Sequence, residues 1–168
     1  MEKSADVLLS DGSTAHLRQI RRDDAAAIVA FHSRMSDRTR YLRYFSPYPR
    51  IPERDLARFV NVDHHDREAF VIVAGPRIMA VGRYERLGPD SPEAEVAFVV
   101  EDAHQGRGIG SVLARELAAD ARAAGITELV ATVCGDNAAV VSLLRRVAGS
   151  LQVTWQSGER EFVLGLER

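Results

Sequence analysis

The sequence predicts an α/β protein built on one central mixed sheet, mostly antiparallel, with helices on both faces. Three observations lead there. Apolar residues recur at helical spacing as far as Val60 and switch to strand-like runs from Glu68. The apolar run ending in Val99-Val100 empties into a glycine-punctuated turn, Gln105-Gly106-Arg107-Gly108-Ile109-Gly110, which opens a long alanine-rich helix. The elements also follow the order strand, helices, three antiparallel strands, helix, strand, helix, two strands, with no repeat or low-complexity linker between them. With 168 residues, 46% of them hydrophobic and 27% charged, the chain suits one domain over residues 1–168 with its own core. It stops almost on its final strand, as either a domain excised from a longer multidomain protein or a small free-standing enzyme would.

Taken in order, residues 1–11 read as a loose or edge lead-in, and Asp11-Gly12 as a turn before the alternating strand Thr14 to Ile20. Arg21-Arg22-Asp23-Asp24 supplies an N-cap for a helix whose apolar positions are Ala27, Ile28, Phe31 and Met35. Ser36 or Asp37 caps a second helix, which the Pro47-Tyr48-Pro49 stretch stops. Pro52-Glu53 opens a third, with Leu56, Phe59 and Val60 on its apolar face and the polar loop 61–67 behind it. Strands at 68–74 and 78–87 form a hairpin around Gly75-Pro76-Arg77, and a strand at 93–100 follows the Pro89-Asp90-Ser91-Pro92 turn. Helix 108–124 buries Ile109, Val112, Leu113, Leu117 and Ala121 and ends at Gly125. A strand at 128–133, a helix at 138–147 capped from Gly135-Asp136-Asn137, and strands at 151–156 and 159–166 complete the chain.

A formal net charge of -2 offers no electrostatic footprint for nucleic acid or a membrane surface. Cys134 is the only cysteine, which excludes an internal disulfide, and no apolar run of about 18 residues marks a membrane span. A cytoplasmic protein with small-molecule or protein partners is the expectation. Its oligomeric state is unknown from sequence, and no metal is expected.

The glycine turn is the first candidate site. Uncrowded backbone at 106, 108 and 110 lets successive N–H groups converge on one anion, and the following helix adds the positive end of its dipole. Two common phosphate loops fail on spacing. There is no Gly-Lys-Ser or Gly-Lys-Thr for a Walker A loop, and a G-x-G-x-x-G fingerprint counted from Gly106 finds Ser111 at its third glycine. The turn instead resembles, at every position, the Q/R-x-x-G-x-G/A signature of the GNAT superfamily of acetyl-CoA-dependent N-acetyltransferases. The segment around Asn137 and Leu143 is similar to that superfamily's asparagine-bearing segment. A narrower likeness runs through His16-Leu17-Arg18, Arg22-Asp23-Asp24, Ser36 to Phe45 and 58–63. These stretches resemble the GNAT domain of bacterial protein lysine acetyltransferases of the Pat type.

The resemblance implies the GNAT (acyl-CoA N-acyltransferase) fold, acetyl-CoA as acyl donor, and a protein lysine as acceptor, with an acyl-CoA synthetase as the protein partner. A small-molecule amine acceptor, or a non-catalytic acetyl-CoA-binding module, are the alternatives. The diphosphate of CoA is assigned to backbone N–H groups across Gln105, Gly106, Arg107, Gly108, Ile109 and Gly110, with Ser111 at the helix start. The pantetheine arm is assigned to the backbone edge of Phe98, Val99 and Val100, where an N–H at Val99 or Val100 polarises the thioester carbonyl. Asn137 either holds that arm or caps its helix.

A lysine amine has an ordinary pKa of about 10.4, so transfer to it needs a base. Alternation along 94–100 sets Glu95 on one face with Ala97 and Val99, and a carboxylate inside an apolar strand is the first candidate; an ordinary ion pair is its competing reading. Glu93, Glu101 and Asp102 read as solvated charges or caps; His64, His65 and His104 are alternative bases, the first two reading otherwise as surface residues of the polar loop and His104 as ordering the turn. Cys134 reads as a small buried residue. Leu144 stands seven residues after Asn137, where the family often places a proton-donating tyrosine, so Tyr41, Tyr44, Tyr48 or solvent must supply that proton. Acceptor choice is assigned to residues 36–67, where Arg38, Arg40, Arg43, Arg50, Arg54 and Arg58 face either an acidic protein surface or water, with Tyr44 and His64 beside them.

Overall fold

The computed structural model describes residues 1–134 and 137–167. The N-terminal lead-in resolves as an edge strand. β1 (Ser4–Leu8) pairs antiparallel with β2 (Thr14–Gln19) across a turn in which Gly12 takes φ +83. A 3₁₀ turn leads into α1 (Ala25–Arg34), followed by α2 (Asp37–Tyr44) and α3 (Glu53–Val60). Ser36 caps α2, its Oγ accepting from the Thr39 N–H at 3.1 Å, and Pro52 stands directly before α3. Asp24 precedes α1 but makes no side-chain cap to it. Its carboxylate instead accepts both ends of the Arg18 guanidinium at 2.8 Å and the Arg21 N–H at 2.8 Å, fastening β2 to the helix start.

The second half runs β3 (Arg67–Ala74), β4 (Arg77–Arg86), β5 (Glu93–Val100), α4 (Ile109–Ala123), β6 (Glu128–Cys134), α5 (Ala138–Val147), β7 (Ser150–Gln156) and β8 (Glu159–Gly165). Among the described residues the eight strands form one sheet in the order β1-β2-β3-β4-β5-β6-β8-β7. Only the β5–β6 pairing is parallel. The Gly135 and Asp136 part of the expected cap lies outside the described residues.

Period-2 alternation divides the sheet into two cores. Phe70, Ala80, Ala94 and Val96 pack with Leu113, Leu117 and Ala121 of α4 and Leu144 of α5. Ala69, Val71, Val81 and Val99 turn the other way, onto Ile28, Phe31 and Val60 of α1 and α3. Gly82 explains how closely α4 lies on β4, because a Cβ there would meet Leu117 Cδ1 at 2.9 Å and Leu113 Cβ at 3.2 Å. α2 buries no residue of its own and rests against β5.

One irregularity organises the rest. β5 pairs with β6 only at Glu93, Ala94 and Glu95, opposite Glu128, Leu129 and Val130. Beyond that point β5 stays on β4, as far as the Glu101 N–H donating to the Met79 carbonyl at 2.9 Å, while β6 continues along β8 to Cys134. The two central strands part, and among the described residues the β6-facing edge of β5 from Val96 to Val100 has no strand partner.

Candidate active site

The glycine turn sits at the end of that open edge. Gly106 and Gly108 take φ of +78 and +80, and Gly108 is the residue before α4. With the chain in this shape, the N–H groups of residues 106–111 donate to no acceptor among the described residues, so they and the α4 dipole are available to an anion. Gly110 serves packing: a Cβ would stand 3.3 Å from Leu143 Cδ2, where α4 meets α5. Gln105 turns its side chain back, Nε2 donating to the Val100 carbonyl at 3.1 Å.

Arg107 is committed to the protein. Its guanidinium meets the Asp11 carboxylate at 2.7 Å, Ser13 Oγ at 2.6 Å and His104 Nδ1 at 2.9 Å, and its carbonyl accepts from the Ser10 N–H at 3.0 Å. The turn is thus tied to the β1–β2 loop. Hydrogen bonds from Ser13, with help from Arg107, hold the Asp11 carboxyl down at about 2. Glu101 corrects the expectation of a solvated charge, being only 3% exposed. It receives Arg34 Nε at 3.0 Å and the Arg77 guanidinium. Burial opposes its ionisation, but those two arginines outweigh burial and keep its carboxyl below the usual range. Asp102 accepts from the Ser36 N–H and from the Ser36 and Thr39 hydroxyls at 3.0, 2.7 and 3.0 Å, which pins α2 beside the turn.

The backbone polarity of the open edge follows from the Glu101–Met79 bond. In an antiparallel pair the residues alternate in which neighbour their N–H and C=O groups face. Glu101 and Val99 therefore face β4, whereas Phe98 and Val100 face the gap toward β6, consistent with Gln105 reaching the Val100 carbonyl. On the gap's other side, Asn137 Oδ1 caps α5, accepting from the Val140 N–H at 3.4 Å. Leu144 is fully buried in the core, and Cys134 is a half-buried free thiol at the end of β6.

Glu95 is exposed in a cleft of about 250 Å³ lined by Arg43, Arg58, Phe59, Arg83, Glu85, Arg86, Leu87 and Ala97. It makes no hydrogen bond or ion pair among the described residues. Directly across the ladder stands Glu85, which is bound to Arg58. Glu85, and more weakly Asp55 and then Glu95, hold the Arg58 guanidinium above its ordinary value. Arg86 is likewise spoken for, its Nε 2.7 Å from Asp66. Of the six arginines expected on the acceptor side, Arg43 and Arg58 line this cleft. Arg40 pairs with Asp37 at 2.5 Å, Arg54 stands 3.6 Å from Asp55, and Arg38 and Arg50 are exposed.

Tyr44 stacks on Tyr48 with ring centroids 4.2 Å apart and lines an adjoining narrow cavity with Ala97 and Val99. Burial pushes its hydroxyl up. The Tyr48 hydroxyl is occupied, donating to Asp55 at 2.5 Å, and Tyr41 is exposed. His64 lies apart from the cleft, its Nδ1 2.9 Å from the fully buried carboxylate of Glu68, which also accepts from Gln19 at 2.7 Å. Sequence reasoning missed Arg83 and Glu85. Their side chains share the face of Glu95 only because β4 and β5 pair in the observed register, and the loop between these strands conceals that register.

A split central sheet, an anion cradle at the start of a long helix and a carboxylate-bearing cleft beside the open strand edge define an acyl-transferase type of architecture. Residues 30–149 match the profile of the acetyltransferase (GNAT) family, and the chain belongs to that family. It is 32% identical over 152 residues to the acetyltransferase Pat of Mycolicibacterium smegmatis, covering 89% of this chain and 44% of that protein. The chain thus spans less than half the length of that relative. The structure is similar to the GNAT domain of S. lividans PAT, with a TM-score of 0.91, 37% identity and 97% of each chain covered. It also shares its fold with yncA of Salmonella typhimurium, solved with its cofactor acetyl-CoA, at a TM-score of 0.72 and 20% identity over 90% of this chain and 94% of that one.

Proposed function

We propose that the chain transfers the acetyl group of acetyl-CoA to a lysine side-chain amine of a protein, an acyl-CoA synthetase being the intended partner, with Glu95 as general base. The observation that carries this reading is Glu95 itself: a carboxylate with no basic side chain bound to it, in a cleft beside the open edge of β5. Glu85, the other carboxylate of the cleft, is tied to Arg58 and is the poorer base.

In this reading the N–H groups of residues 106–111 hold the CoA diphosphate, and the edge formed by Phe98 and Val100 pairs with the amide-bearing arm as a strand would. Glu95 takes the proton from the acceptor ammonium. The amine nitrogen then bonds to the thioester carbonyl carbon, whose developing negative oxygen the Val100 N–H stabilises. As the C–S bond breaks the nitrogen gives up its second proton to solvent, leaving the neutral amide, and the thiolate is protonated by solvent or by Tyr44, whose hydroxyl donates to no acceptor among the described residues. The chain's similarity to Pat acetyltransferases supports the acceptor that the Pat-type resemblance of its sequence implies, a protein lysine. Among the described residues no helix is long and apolar enough to cross a membrane. The test is incubation with acetyl-CoA and a panel of acyl-CoA synthetases, read by mass spectrometry. A lysine gaining an acetyl group only in the presence of the protein supports the proposal; transfer confined to small amines overturns its acceptor.

A further inference from the structure

Two of the four arginines in the Glu95 cleft lack the carboxylate partner that the other two have. Arg58 is bound to Glu85 and Arg86 to Asp66, yet neither Arg43 nor Arg83 forms an ion pair with a carboxylate among the described residues. Arg83 projects from β4 opposite Ala97, one pleat, or about 7 Å along the strands, from the Glu85–Glu95 pair. Its guanidinium lies over the Phe59 ring, 4.8 Å from the centroid, and donates one hydrogen bond, to the Phe59 carbonyl at 3.3 Å. A guanidinium carries five N–H donors, so most of this fork is unused. Arg43 approaches from α2, stacked 4.8 Å over Tyr44. Burial first, and then the like charge of Arg43, push Arg83 down to about 10, far below an ordinary arginine. Two guanidinium groups lining one partly desolvated cleft, neither with a carboxylate partner among the described residues, are an unfavourable arrangement that a shared anion relieves.

We propose that Arg83 and Arg43 form an acceptor subsite for a carboxylate borne close to the amine that Glu95 deprotonates. The subsite rests on the reading of this cleft as the acceptor side. It selects acceptors of paired character, an ammonium for Glu95 and a carboxylate for the two arginines. The carboxylate has two sources: an aspartate or glutamate beside the target lysine, or the carboxyl group of a free amino acid.

The test uses acceptor pairs that differ only in that group. Lysine peptides with a neighbouring aspartate are compared with asparagine counterparts, and free amino acids with their amides. The expected result is a kcat/KM advantage of about tenfold or more for the carboxylate member, the scale of a charge-assisted hydrogen bond, expressed in KM. Arg83→Gln and Arg43→Gln should each erase most of the advantage, and Arg115→Gln, on the exposed face of α4, should keep it. An advantage among peptides identifies a protein source and one among amino acids a free metabolite; either supports the subsite. Equal use of both members by the unaltered protein, or an advantage that survives Arg83→Gln, overturns it. Titration with N-acetylaspartate, which has no reactive amine, needs no turnover and no variant. Should nothing be acetylated while N-acetylaspartate binds and Arg83→Gln abolishes that binding, the transferase reading falls and the subsite stands. Acetylation without N-acetylaspartate binding or a carboxylate advantage removes the subsite alone.

Discussion

Replacing Gly106 by alanine isolates the backbone strain of the anion cradle. Gly106 takes φ +78, and nothing lies within 4 Å of where its Cβ would stand, so the substitution introduces conformational strain and no clash. An alanine in the left-handed region costs roughly 1–2 kcal/mol, and asparagine costs less. That strain divides between two measurements. If the turn keeps its shape in the free protein, the whole cost falls on folding stability. If the turn relaxes when free, the part recovered must be spent again on binding, and acetyl-CoA affinity falls. Since about 1.4 kcal/mol is tenfold, the affinity loss is at most about 30-fold. Urea unfolding without ligand and isothermal titration with acetyl-CoA give the two parts, which should add to roughly 1–2 kcal/mol for alanine and clearly less for asparagine. Gly88→Ala, where φ is not left-handed and a Cβ has open space, is the control and should leave both unchanged or slightly raise stability. A sum near zero for Gly106→Ala, or an equal loss for asparagine, refutes the account of the cradle.

The remaining predictions concern packing and pH. Gly82→Val should destabilise by about 1–3 kcal/mol, because its side chain enters space held by Leu113 and Leu117, and a thermal midpoint within 1 °C of the unaltered protein would contradict this. His32 is buried, its Nε2 donating to the Tyr48 carbonyl at 2.8 Å. Burial, with the charge of Arg40, pushes its pKa below the ordinary 6.5, so the unfolded chain binds the proton more readily than the fold. Its contribution to stability is therefore complete above about pH 6.5 and is lost as pH falls toward the lower folded value. Urea midpoints at pH 7.5 and 5.0 should converge for His32→Gln relative to the unaltered protein, and an equal drop in both would refute the assignment.

The mixed sheet and the bounds of nearly every element were legible because local signals agreed: the period change after the 61–67 loop, Ser36 and Pro52 at helix starts, glycine at the turns. The left-handed turn before α4 was legible for the same reason, since Gly106 and Gly108 set it through their own backbone. What the sequence concealed depends on contacts between distant segments. Nothing local marks the partners of the Arg107 guanidinium, which are Asp11 and Ser13, far off in the chain. Glu101 looked solvated, but Arg34 and Arg77 fold over it. Arg83 and Glu85 had no local pattern to mark them; only strand register brings them to the face of Glu95. The parting of β5 from β6 after Glu95 is likewise a property of the sheet and has no signature within either strand.

The central claim is that Glu95 removes the acceptor proton, and the most direct measurement is the pH profile of kcat/KM for acetyl transfer with Glu95→Gln beside Glu85→Gln. Glutamine keeps the size and hydrogen bonding of glutamate but cannot accept the proton. The account predicts that Glu95→Gln lowers kcat/KM by about 10²–10⁴ and abolishes the acid limb of the profile, while acetyl-CoA affinity is unchanged and Glu85→Gln keeps that limb. An unaltered kcat with the same acid limb in Glu95→Gln would contradict it.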